Sequence, residues 1–102
     1  MIDIYKNKPS SKKYKEITGY QNKVYRKKYN LDMVDKFFKI FPEEKRGRKN
    51  FKKKEIQNTR ALVYESIFQK AIKIRADCIG SIKEEVSKDT IIITVSFFRR
   101  YG

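Results

Sequence analysis

Between Glu55 and Phe98 the spacing of apolar residues changes period once, and that change limits the possible folds more than any other feature of the chain. Ile56, Val63, Ile67 and Ile74 fall in a narrow arc at about 100° per residue. Tyr64, Phe68, Ala71 and Ile72 widen the arc on one side, while Glu55, Ser66, Gln69, Lys70 and Lys73 lie opposite. The spacing predicts a long helix over Ile56–Ala76 that buries one broad face. Asn58 or Thr59 could cap its start, or Asn50 an earlier one. Leu62 falls on the polar side, so the helix has a second surface to offer.

Beyond Ala76 the helical period stops. Thr90–Phe98 (TIIITVSFF) is β-branched and aromatic and lacks Gly and Pro, which predicts a strand. Its two alternating faces, Ile91/Ile93/Val95/Phe97 and Ile92/Thr94/Ser96/Phe98, are both largely apolar, as in a strand covered on both sides. Cys78–Val86 is the candidate hairpin partner, with Ser87-Lys88-Asp89 as the turn. Gly80 interrupts that partner, and Ser81-x-x-Glu84 reads equally as a capping box opening a short helix.

Ahead of this unit, Ile2 and Ile4 alternate with Asp3 and Tyr5, which suggests an edge strand, and residues 1–10 close as a linker at Pro9. Ser10 or Ser11 could cap a helix carrying Tyr14 and Ile17, and Thr18-x-x-Gln21 could open another over Tyr20–Tyr29. Leu31, Val34, Phe37, Phe38 and Phe41 follow amphipathic helical spacing, with Asp32 and Asp35 near the positive end of the dipole. Pro42 ends that helix, which becomes the natural cover for the C-terminal unit. Residues 42–54 (PEEKRGRKNFKKK) read as a basic loop. The predicted class is α+β, a single domain spanning 1–102. Two or three mostly N-terminal helices and the long central helix would pack on a C-terminal β-hairpin or small antiparallel sheet. A winged helix is one specific version.

Charge is what bears on function. The net charge is +14, and residues 1–30 carry nine Lys/Arg against two Asp/Glu, residues 31–60 ten against five, and residues 61–102 seven against five. The front sixty residues thus hold +12 and the core-forming rear only +2. Such a balance attracts polyanions, with an affinity that falls as salt rises. Lys, Ile, Tyr, Phe and Asn dominate, a bias that fits an AT-rich genome and a viral or mobile-element protein. One cysteine excludes an intrachain disulfide and suits a reducing compartment. With no apolar run long enough for a membrane span and no signal-peptide core, the expected location is cytoplasmic, in the host if viral.

Two constellations follow from the charge. Arg46, Arg48 and Lys49, with Lys52, Lys53 and Lys54, supply flexible cations for phosphates, and Gly47 allows close approach to a groove. Arg46-Gly47-Arg48 resembles the centre of AT-hooks, without their flanking prolines. That resemblance implies A/T-rich DNA and favours DNA over RNA. The bland alternative is a solvated loop. Lys23, Arg26, Lys27 and Lys28 flank this set, in a run where Tyr14, Tyr20, Tyr25 and Tyr29 alternate with cations. Those rings either stack on bases or pack a half-buried face.

Catalysis finds little in the sequence. Histidine is absent, which removes the commonest general base and metal ligand. Cys78 alone makes no zinc site and reads as a small buried residue. Asp32, Asp35, Glu43 and Glu44 could hold Mg²⁺, but helix-start placement and loop exposure explain them as well. No Gly-rich phosphate loop is present. The expectation is therefore no enzyme and no cofactor, but a basic accessory protein binding nucleic acid through phosphates, without strong sequence specificity. The alternative is an interaction module docking a peptide or acidic partner in a groove beside the hairpin. Its partner, or a second copy in a homodimer, would pair along the Ile91–Phe98 edge.

Overall fold

Strand Thr90–Arg100 is the axis of the structure, a computed structural model describing residues 2–40 and 48–102. In chain order the elements are β1 (Asp3–Ile4), β2 (Tyr14–Glu16), β3 (Lys23–Lys28), α1 (Leu31–Ile40), α2 (Arg48–Lys73), β4 (Cys78–Val86) and β5 (Thr90–Arg100). They form one mixed five-stranded sheet with α2 across one face. β4 pairs antiparallel with β5, and β1 adds to β4 in parallel, Asp3 opposite Cys78. The other edge of β5 is shared by β3, which pairs with Thr90–Val95, and β2, which pairs with Phe98–Arg100. Between them the Ile17 N–H donates to the Phe97 carbonyl (2.9 Å), and the Phe97 N–H donates to the Tyr20 carbonyl (3.1 Å).

This arrangement corrects the sequence-based fold. The molecule has two helices among its described residues, not three or four, and the sheet is mixed and five-stranded rather than a hairpin carrying N-terminal helices. The segments expected to be helical around Tyr14 and over Tyr20–Tyr29 are strands. A central β5 presents two rows of backbone donors and acceptors, and β4 can satisfy only one of them. Short segments with Tyr14, Val24 and Tyr25 fill the second row, which outweighs their weak helical spacing. Gly19 (φ 87°) and Asn22 (φ 50°) lie in the left-handed region and turn the chain between β2 and β3. The winged-helix version also falls, because the hairpin is the middle of the sheet and not a projecting wing. The expected free edge at Ile91–Phe98 is occupied on both sides, so neither a peptide nor a second copy can add there.

Alternation along β5 builds two cores. Ile91, Ile93, Val95 and Phe97 are at most 1% exposed and face Val63, Ile67 and Ala71 of α2, with Ile79 and Tyr29. Burying side chains of this size contributes about 1.5–3 kcal/mol each before entropy is charged against it. On the opposite face Phe98 packs with Tyr14 and Cys78 in a smaller cluster. There the N-terminal segment crosses β4 at a bulge. The Ser81 and Ile82 N–H groups leave β5 and donate to the carbonyls of Asn7 and Lys6 at 3.2 and 2.8 Å. Gly80 is what lets Pro9 come this close, since a Cβ there would lie 2.7 Å from Pro9 Cδ.

α2 ends in a Schellman motif. The Ala76 N–H donates to the Ala71 carbonyl (2.8 Å), the Arg75 N–H donates to Ile72 (3.1 Å), and Arg75 adopts φ 57°. Arg99 seals the end, its Nη2 donating to the Ile74 carbonyl at 2.8 Å. The start of α2 differs from the expected basic loop: residues 48–54 are helical, which suits a run of Lys and Arg without Gly or Pro, while residues 42–47 lie outside the described residues. The first residue of α2 packed against the sheet core is Ile56, so about 12 Å of helix precedes the sheet-packed part. α1 lies against this leading part instead of covering the sheet, with the Phe38 ring edge-on to Phe51 at 5.6 Å. The pair forms an arm, and the molecule measures 59 × 22 × 20 Å along its principal axes.

Candidate nucleic-acid interface

The arm carries the first group of cations. At about 100° per residue, Lys49, Lys52 and Lys53 fall on the same side of α2 as Ile56, Val63 and Ile67. Further along the helix that side is buried against the sheet. On the arm the sheet has ended, and the three lysines are exposed. Lys54 is also exposed, on another side of the helix. None of these four has an acidic partner among the described residues. Arg48 opens the helix, and Arg46 lies outside the described residues.

β3 carries the second group. Its register sets Lys23 and Lys27 opposite Val95 and Ile91 on the helix side, and Arg26 and Lys28 opposite Ile92 and Thr90 on the open side. All four are exposed, and among the described residues no strand pairs with the outer edge of β3. Lysines on such an edge discourage edge-to-edge aggregation, so these positions have a structural use of their own. Lys23 Nζ lies 5.7 Å from the Tyr20 ring centre, and Lys28 Nζ lies 3.9 Å from Asp89. The two groups meet at the base of the arm. There the Asn30 N–H donates to Glu55 (3.2 Å), one helical turn from Lys52.

The tyrosines interleaved with these cations are packing residues. Tyr14 and Tyr29 are 6% and 4% exposed, and Tyr20 and Tyr25 lie against the core. Tyr29 donates its hydroxyl proton to the Ser87 carbonyl, and burial raises its pKa. Cys78 is fully buried, and burial pushes its thiol up to about 11, so it is a poor nucleophile. Beside the hairpin a cleft of about 470 Å³ runs between α2 and β4. Two of its charges, Arg60 and Glu84, are paired with each other, and Lys6 also lines it. Arg60 Nη2 and Glu84 approach to 2.8 Å, Tyr64 donates to Glu84, and the guanidinium lies 5.2 Å from the Tyr64 ring centre. The hydrogen bond from Arg60 holds the Glu84 carboxyl below its ordinary value, and burial pushes Tyr64 up to about 12. Asp32 lies in the first turn of α1, and Glu43 and Glu44 lie outside the described residues. Among the described residues no three potential ligands group to hold a metal ion.

One cluster has no forerunner in the sequence reading. At the end of the sheet remote from the arm, Lys12, Lys13, Tyr5, Tyr101 and Arg100 line a cleft of about 500 Å³.

Fold and surface together define an α+β protein with a basic helical arm, and none of its described helices is long and apolar enough to cross a membrane. No family model, curated protein or solved structure matches the chain.

Proposed function

We propose that this protein binds nucleic acid, DNA in preference to RNA, mainly through phosphate contacts and without strong sequence specificity. The observation that carries this is the arm: Lys49, Lys52 and Lys53 extend the sheet-facing side of α2 past the end of the sheet, exposed and without acidic partners among the described residues. A structural use is evident for the β3 cations, which guard an edge, but not for a row of lysines on a helix face that could have stayed neutral. Lys54 lies on another side of the same turns, and Arg46 and Arg48 precede them in the sequence. Lys23, Arg26, Lys27 and Lys28 prolong the positive surface from the base of the arm. Phosphate neutralisation releases counterions, so the interaction is strong at low salt and weak at high salt.

The test is a low-salt titration against duplex DNA, single-stranded DNA and RNA of matched length. Binding to DNA, at least as tight as to RNA, is the expected result. Absence of binding to all three, with retention of an acidic protein instead, would favour the interaction-module reading.

A further inference from the structure

The cleft remote from the arm combines the two chemistries that a nucleotide demands. Tyr5 and Tyr101 are 43% and 57% exposed, in contrast to the buried Tyr14 beside them. Both chain positions are fixed by backbone hydrogen bonds: the Tyr5 N–H donates to the Ile79 carbonyl at 2.9 Å, and the Tyr101 N–H to the Lys13 carbonyl at 3.1 Å. Tyr5 is further braced edge-on against Tyr14, with ring centres 6.0 Å apart. Exposed rings on an anchored backbone are what a base needs for stacking.

The cations are arranged differently from those of the arm. Lys12 and Lys13 are exposed on the turn leading into β2, and Lys13 is tied through its carbonyl to Tyr101. Arg100 lies 5.5 Å from the Tyr14 ring centre, and its Nη2 donates to Asp3 (3.1 Å) and to the Tyr14 hydroxyl (3.2 Å). Asp3 also accepts from the Tyr14 hydroxyl (2.9 Å), while the Arg100 N–H donates to Asp77. Asp3 is thus matched by Arg100, and the two lysines leave the cleft positive. Its volume of about 500 Å³ falls in the range of small-ligand sites.

We propose that this cleft holds one nucleoside phosphate unit, its base stacked on Tyr5 or Tyr101 and its phosphate on Lys12 and Lys13. This rests on the nucleic-acid reading for its polymer source, but it adds a second site where an unpaired base, and not only the backbone, is recognised. The arm would grip phosphates at one end of the molecule while the cleft holds an unpaired base at the other. The same unit could come from a free mononucleotide, and the experiment separates the two sources.

Anisotropy of labelled dT12, an abasic oligomer of equal charge and a 12-base-pair duplex would be compared, with dTMP as competitor. The expected result is at least about fivefold tighter binding of dT12 than of the abasic oligomer, the smallest effect of one stacked base. Tyr101→Ala should reduce that preference and Tyr5→Ala with Tyr101→Ala abolish it, while duplex binding is retained. Displacement by micromolar dTMP assigns the cleft to free nucleotides; displacement only by the oligomer assigns it to a strand. Because Tyr5 packs on Tyr14, photocrosslinking of 5-iodouracil oligomers to the unmodified protein gives a second readout, with adducts expected on Tyr5 or Tyr101. Equal affinity for dT12 and the abasic oligomer, or crosslinks confined to other tyrosines, overturns the proposal while leaving phosphate binding by the arm intact. Loss of duplex binding with the dT12 preference retained would instead overturn the arm reading alone.

Discussion

Gly80→Ala is the sharpest probe of how the N-terminal segment is held on the sheet. The new Cβ would lie 2.7 Å from Pro9 Cδ, 3.1 Å from Phe98 Cε2 and 3.2 Å from the Asn7 carbonyl oxygen, where ordinary contact begins at 3.4 Å. Pro9 would have to retreat by about 0.7 Å, and its ring cannot rotate away as a flexible chain end would. Overpacking of this kind costs about 1–3 kcal/mol, offset by roughly 0.4–1 kcal/mol from restricting the unfolded chain. The net loss should be about 1–2 kcal/mol, or a fall in Tm of about 5–10 °C for a chain of this length. Urea denaturation followed by far-ultraviolet circular dichroism measures it. Pro9→Ala removes the nearest atom, so in the Gly80→Ala background it should recover part of the loss, with a coupling of at least about 0.5 kcal/mol. A Gly80→Ala protein as stable as the parent, or a strictly additive double variant, would refute the close packing of Pro9 on Gly80.

Two further perturbations test the frame of the molecule. Arg75 holds a left-handed conformation at the end of α2, so Arg75→Gly should raise stability by up to about 1 kcal/mol, measured as a higher urea midpoint, whereas Arg75→Val should lower it. Glu84 has a folded-state pKa lowered from its ordinary 4.5, chiefly by the hydrogen bond from Arg60. Its stabilisation is therefore present above about pH 4.5 and lost as pH falls through the lower folded value. Thermal melts between pH 6 and pH 3 should show a steeper acid loss in the parent than in Glu84→Gln.

Side-chain period makes part of this fold legible from sequence. Val63, Ile67 and Ala71 recur at helical spacing because they meet one sheet face, and Ile91, Ile93, Val95 and Phe97 alternate because they face α2. The strands β2 and β3 are different. Lys23–Lys28 has four cations in six residues, and nothing local makes it a strand; the vacant hydrogen-bonding row of β5 does. The same holds for the length of α2, since residues 48–54 gain helical structure as a continuation of a helix secured further along, beside α1. At the candidate interface, the excess of lysine was visible in composition. That Lys49, Lys52 and Lys53 share a face, while the β3 cations divide between two, required knowing which element each belonged to. The cleft was hidden for another reason. Asp3 and Arg100 bond across almost the whole chain, and no window of sequence brings Tyr5 near Tyr101.

The most direct test of phosphate binding by the arm is the slope of log Kobs against log salt concentration for a short DNA duplex, compared between the parent and a variant carrying Lys49→Gln, Lys52→Gln and Lys53→Gln. Each phosphate contact contributes about 0.9 to the slope, so the triple variant should flatten it by about 2–3 while its melting temperature stays close to that of the parent. An unchanged slope in a folded variant would contradict the assignment of the arm to phosphates.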